Sequence, residues 1–202
     1  MLFYTFLDVA VWRKILPSCS NVLHVITMGV CVWGFIRLLK RKGFEAELLS
    51  NISLTGVLLA LGCSVLFYIV LDKGLDPVFE KMFPGSEQDY QETVKRFAQF
   101  PVTGILQVCI LAPVAEEVLM RGVVLGGLEH TYGAVAALLV SSFLFALLHF
   151  NMVQTLSAFV CGLVLGLLYI KTDSILCCMI AHCGYNLISY LAVIERYGSA
   201  GV

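Results

Sequence analysis

Two carboxylates, a guanidinium, two imidazoles and a carboxamide interrupt the apolar second half of this 202-residue chain. Glu116, Glu117 and Arg121 lie in the run from Ala112 to Gly122, His149 follows four residues after Phe145, and Asn186 follows four residues after His182. Charged side chains at bilayer depth cost a few kcal/mol or more each, so ionisable groups there require partners and point to a use. On a helix, positions four apart share a face while adjacent ones diverge by about 100°. Glu117 is therefore expected to face Arg121 and be neutralised in place, leaving Glu116 free to face a cavity. Phe145 with His149, and His182 with Asn186, each project from one face of their helix. Pro113 removes a backbone hydrogen bond and tends to kink the segment just before the acids.

A carboxylate beside an imidazole can hold and deprotonate a water molecule, while a second imidazole and an amide can donate hydrogen bonds to a developing oxyanion. Those are the parts of a hydrolase without a covalent nucleophile. Taken singly, each residue also fits structural glue, such as a buried Glu–Arg pair or a satisfied histidine. Together, in a chain this poor in polar interior residues, they are hard to explain by packing. Two histidines and a glutamate are also a possible zinc set, although no H-E-x-x-H spacing and no thiolate set accompanies them. A proton-coupled transporter would use buried Glu and His as a relay, but these residues cluster rather than form a path.

The elements that must position these groups are apolar helices. The chain is 59% hydrophobic and 13% charged, with mean hydropathy +0.91, against about 45–50% apolar and about 25% charged in soluble domains. The expectation is an all-α, polytopic membrane helix bundle forming a single domain over 1–202, with about six transmembrane helices and a short interfacial N-terminal helix. The spans fall near 19–39, 52–71, 102–128, 134–150, 155–170 and 175–194, with the core that carries the polar cluster at about 102–194. Residues 72–101 read as a polar connector with short interfacial helices, either solvated or capping the site. Gly162 and Gly166 have the small-x-x-x-small spacing of close helix packing. His24, near the start of the first span, reads as structural.

Membrane lipid is the surrounding medium, and a net charge of −1 argues against nucleic acid as a partner. The eight cysteines lie almost all in hydrophobic runs without a C-x-x-C pair and read as small buried residues. The N-terminus lacks a basic region and a small-residue cleavage site, so no signal peptide is expected. The basic cluster Arg37, Lys40, Arg41 and Lys42 places the first loop in the cytoplasm and the N-terminus outside, weakly opposed by Arg13 and Lys14.

Glu116-Glu117-x-x-x-Arg121, Phe145-x-x-x-His149 and His182-x-x-x-Asn186, in this order on three apolar helices, resemble the three motifs of the CAAX-protease and bacteriocin-processing (Abi) family. The resemblance covers roughly Ala112 to Asn186. It implies a metal-free, cofactor-free intramembrane glutamic endopeptidase in which Glu116 and His149 activate water and His182 and Asn186 stabilise the oxyanion, with Glu117, Arg121 and Phe145 in support. The implied partner is a peptide or protein substrate: a bacteriocin or pheromone precursor, or a prenylated C-terminus. A multi-pass protein of a bacterial cell membrane is the expected setting. The family also includes members assigned to immunity, so a non-enzymatic immunity or scaffold protein is the alternative of a different class.

Simple spans leave one conflict. His149 closes the fourth span while His182 lies about eight residues into the parallel sixth, which separates them by about 10–15 Å in depth. A single site therefore requires the fourth or sixth helix to be displaced, tilted or incompletely spanning, around a protein-lined cavity that opens to one aqueous face.

Overall fold

A computed structural model describes residues 7–43, 51–85, 88, 95, 98–149 and 151–198. The described residues form helices and no strands. A short helix, α1 (8–15), precedes α2 (Pro17–Arg41) and α3 (Leu54–Met82). These are followed by α4 (101–132), α5 (Ala134–Leu147), α6 (Met152–Thr172) and α7 (Ile175–Gly198).

Local chemistry sets the ends. Proline occupies the first turn of α2 and α4, where its missing N–H would have had no helical partner. The Ser53 side chain accepts from the Gly56 N–H at 3.0 Å to cap α3. Asn51 Nδ2 donates to Asp173 Oδ2 at 2.8 Å, joining the entry of α3 to the α6–α7 turn. Gly133 takes φ +80° between α4 and α5, a conformation that glycine adopts without steric cost.

Helices α2, α3, α6 and α7 are long and apolar enough to cross a membrane, which marks an integral membrane protein. Helix α4 has the length but carries the charged cluster. Helix α5 has only 14 residues, so at 1.5 Å per residue it rises about 21 Å against a hydrocarbon core of about 30 Å. Of the about six spans expected, the fourth is therefore the short one, one of the two helices in which the histidine spacing called for an irregularity.

The polar connector expected to begin at residue 72 also begins later. Helix α3 continues to Met82, carrying Asp72 and Asp76 with it, because their side chains find hydroxyl partners inside the bundle instead of water. Tyr185 Oη donates to Asp72 Oδ1 at 2.7 Å and Ser189 Oγ to Asp72 Oδ2 at 2.6 Å. Ser157 Oγ donates to Asp76. The part of the connector holding Glu87, Asp89, Glu92 and Arg96 lies outside the described residues, as do Phe150, which the fourth span was expected to include, and the first residues of the interfacial segment.

Small residues bring the inner helices together. A Cβ on Gly162 would lie 3.1 Å from Ser142 Cα, and one on Gly184 would lie 2.5 Å from Ser64 Oγ. Ser64 Oγ itself donates to Ala181 O at 2.9 Å, across the α3–α7 seam. The expected packing role of Gly162 and Gly166 is therefore visible on α6, which meets α5 there.

Candidate active site

Arg121 and Glu117 are both 0% exposed. Arg121 Nη1 lies 3.1 Å from Glu117 Oε1, the i, i+4 pair that the helix phase requires. The guanidinium makes two further contacts: Nη2 donates to Gly162 O at 3.1 Å, and Cζ sits 4.7 Å from the centre of the Phe145 ring. A buried cation needs more than one partner to offset its desolvation, and here a carboxylate, a carbonyl and an aromatic face supply them.

Glu117 also does something that helix phase alone does not reveal. His182 Nδ1 lies 2.8 Å from the same Glu117 Oε1, which fixes the imidazole from behind. Its other nitrogen, Nε2, is turned to Glu116 Oε2 at 3.9 Å. The two acids are thus separated by role, Glu117 in the polar support and Glu116 at a cavity wall.

Phe145 is the plate between the imidazoles. Its ring centre lies 5.2 Å from that of His149 and 5.6 Å from that of His182, both edge-on. Both histidines line the same cavity, and the helix that leads to His149 is the short α5. The helix stops at Leu147, the His149 N–H turns back to Ala146 O at 3.0 Å, and His149 Nδ1 lies 3.2 Å from Phe145 O. Non-helical backbone at this depth must be satisfied internally. Asn151 Oδ1 accepts from the N–H groups of Val153 and Gln154 at 3.1 and 3.3 Å, and Thr155 Oγ1 donates to the carbonyls of His149 and Asn151.

Glu116, Phe145, His149, His182 and Asn186 all line one cavity of about 510 Å³. All four residues expected to do chemistry are therefore brought together, with Phe145 beside them and Glu117 and Arg121 behind. Asn186 Nδ2 donates to Val108 O at 2.8 Å, so one amide hydrogen is already engaged. Among the described residues, no three His, Cys, Asp or Glu side chains are grouped as a metal-ligand set. Of the eight cysteines, Cys109, Cys161, Cys177 and Cys178 are buried, Cys31, Cys63 and Cys183 are partly so, and Cys19 is exposed.

The cavity has a second wall, of which the sequence offered only the 72–101 segment, as a cap. Arg13 of α1, His24 of α2 and Asp76 of α3 line the same space. Asp72 and Asp76 had a usable signal, since they lie four apart in phase with the apolar helix before them. For His24 the only signal was an imidazole in an apolar helix, which more often reports a satisfied core residue.

Residues 98–188 match the family described as Type II CAAX prenyl endopeptidase Rce1-like. No curated protein and no solved structure matches the chain. The matched segment contains all three motifs, with Glu116, Phe145, His149, His182 and Asn186 at the cavity and Glu117 and Arg121 behind them, so over residues 98–188 the chain is similar to the CAAX-protease family described by that model.

Proposed function

We propose that this protein is an intramembrane endopeptidase in which Glu116 and His149 hold and activate a water molecule. The water attacks the carbonyl carbon of a peptide bond and its proton passes to Glu116. His182, through Nε2, and Asn186, through its second amide hydrogen, donate to the oxygen of the tetrahedral intermediate. Collapse of the intermediate breaks the C–N bond as Glu116 returns the proton to the leaving amine. General base catalysis of this kind contributes about 10²–10⁴-fold, and each preorganised oxyanion donor about 10²–10³-fold.

The observation that carries this reading is the convergence of the three motifs on one cavity, with His182 anchored by Glu117 and facing Glu116. The CAAX-type protease activity of the matched family supports the same reaction class. The substrate we assign is a small membrane-associated peptide, such as a bacteriocin or pheromone precursor, or a prenylated C-terminus.

The test compares membrane-associated peptides by mass spectrometry in cells carrying the native protein and in cells carrying Glu116→Gln. Product peptides should vanish in the variant while the protein stays inserted and folded. Identical peptide profiles with full biological function would favour a non-enzymatic immunity or scaffold role, and loss of native activity with a strong chelator would favour zinc chemistry.

A further inference from the structure

The first part of α4 is wound wider than an α-helix. Over Ile105–Leu111 the helix is π, and the Ala112 N–H donates five residues back to Gln107 O. The next bond of that ladder would run from residue 113 to the Val108 carbonyl. Residue 113 is proline, which has no N–H to give. The carbonyl that the ladder abandons is the one that accepts from Asn186 Nδ2 at 2.8 Å.

We propose that Pro113 is a positioning residue for Asn186: by deleting one backbone donor it opens the Val108 carbonyl to the Asn186 carboxamide and so fixes the side chain that α7 presents to the cavity. The chemistry is a replacement of donors. A carbonyl inside a membrane bundle must find a hydrogen bond, and with the helix unable to supply one, the nearest side-chain amide does. A primary carboxamide has two N–H bonds at a fixed angle, so holding one on Val108 O fixes the direction of the other. The consequence for catalysis rests on the peptidase reading above, whereas the link between Pro113 and Asn186 does not.

The prediction concerns non-additivity. In Pro113→Ala the new N–H satisfies Val108 O from within the helix and releases Asn186. In Asn186→Leu the carbonyl loses its donor, and in the double variant it regains one. Thermal unfolding in detergent should show Asn186→Leu lowered by about 3–6 °C, as expected for a lost buried hydrogen bond in a chain of this size, and the double variant restored to near the native midpoint. Peptides whose release depends on Glu116 provide the activity readout: Pro113→Ala should reduce them by about tenfold or more without loss of stability, and the double variant should be no worse than Asn186→Leu. The Asn186 side-chain ¹⁵N–¹H resonance, identified by its absence in Asn186→Ala, should move on Pro113→Ala. It provides the decisive measurement if Asn186→Leu does not fold.

Additive changes in unfolding temperature, or an unmoved Asn186 resonance, would overturn the link. Native product levels in Pro113→Ala would overturn the positioning role. If no peptide depends on Glu116, the peptidase reading fails, and the unfolding cycle and the resonance still decide whether Pro113 and Asn186 are coupled.

Discussion

Helices α2 and α6 are both apolar and of spanning length, yet their most apolar stretches are 11% and 44% buried within the bundle. The difference separates a helix that is largely exposed on the bundle from one with nearly half of that stretch buried in it. Helix α6 touches the charged support through Gly162 O, which Arg121 reaches, and it approaches α5 closely at Gly162 and Gly166. Helix α2 has Gly29 and Gly34 with open space around both, and its exposed Val22, Ile26, Val30 and Trp33 follow an i, i+4 to i+3 stripe. Hydrophobicity places both in the membrane. Small residues beside buried charge identify the one that supports the polar centre.

The contrast is tested most severely at the polar centre. Glu116→Gln and His149→Ala should each lower release of product peptides by about 10²–10⁴-fold, measured by quantitative mass spectrometry, with helical circular dichroism unchanged. Arg121→Met leaves Glu117 and His182 without their cation in a dry interior. Breaking a buried pair on one side costs about 3–5 kcal/mol, and a large drop in thermal midpoint in detergent is the expected result. Arg37 on α2, whose guanidinium rests 5.2 Å from the Trp33 ring, should tolerate Arg37→Met with less than about 1 kcal/mol lost, since exposed cation–π contacts are worth about 0.5–1 kcal/mol.

Glycine substitutions sharpen the comparison at smaller scale. Gly162→Ala would set a Cβ 3.1 Å from Ser142 Cα and 3.3 Å from Phe145 Cδ1. The backbone atom cannot yield as a side-chain end can, so about 1–3 kcal/mol of overpacking cost is expected, together with reduced peptide release as Phe145 shifts between the imidazoles. Gly29→Ala meets nothing within 4 Å and should raise stability by up to about 1 kcal/mol through helix propensity. A destabilised Gly29→Ala variant, read by thermal unfolding, would show that α2 is more tightly engaged than its exposure indicates.

What the sequence disclosed depended on whether a relation was local. The Glu117–Arg121 pair follows from helix phase, and the structure places the two groups 3.1 Å apart. The bond from Glu117 to His182 joins positions 65 apart in sequence, and no spacing rule reaches that far. By sequence Asp72 belongs to the polar connector, as the first acid of the only long polar stretch. Tyr185 and Ser189 overturned that assignment by offering two hydroxyls from another helix. That simple spans would set the histidines at different depths was legible in the sequence, but not that α5 is the short helix. It ends at Leu147, where the chain turns and His149 folds back on the last carbonyls.

The shortness of α5 also acts on the surrounding lipid. Its outward residues Val135, Leu139, Phe143 and Leu147 are all exposed on the bundle, and this stripe rises only about 18 Å from first to last at 1.5 Å per residue. Acyl chains against that face meet a hydrophobic belt much shorter than the hydrocarbon thickness, a mismatch that a bilayer accommodates by thinning at a modest cost for each ångström. A dimple of that kind would bring headgroups and water down toward the turn that holds His149. Bilayer thickness would then act on hydration of the cavity, and on the peptidase reading the expected outcome is higher peptide release by the reconstituted protein in short-chain than in long-chain phosphatidylcholine.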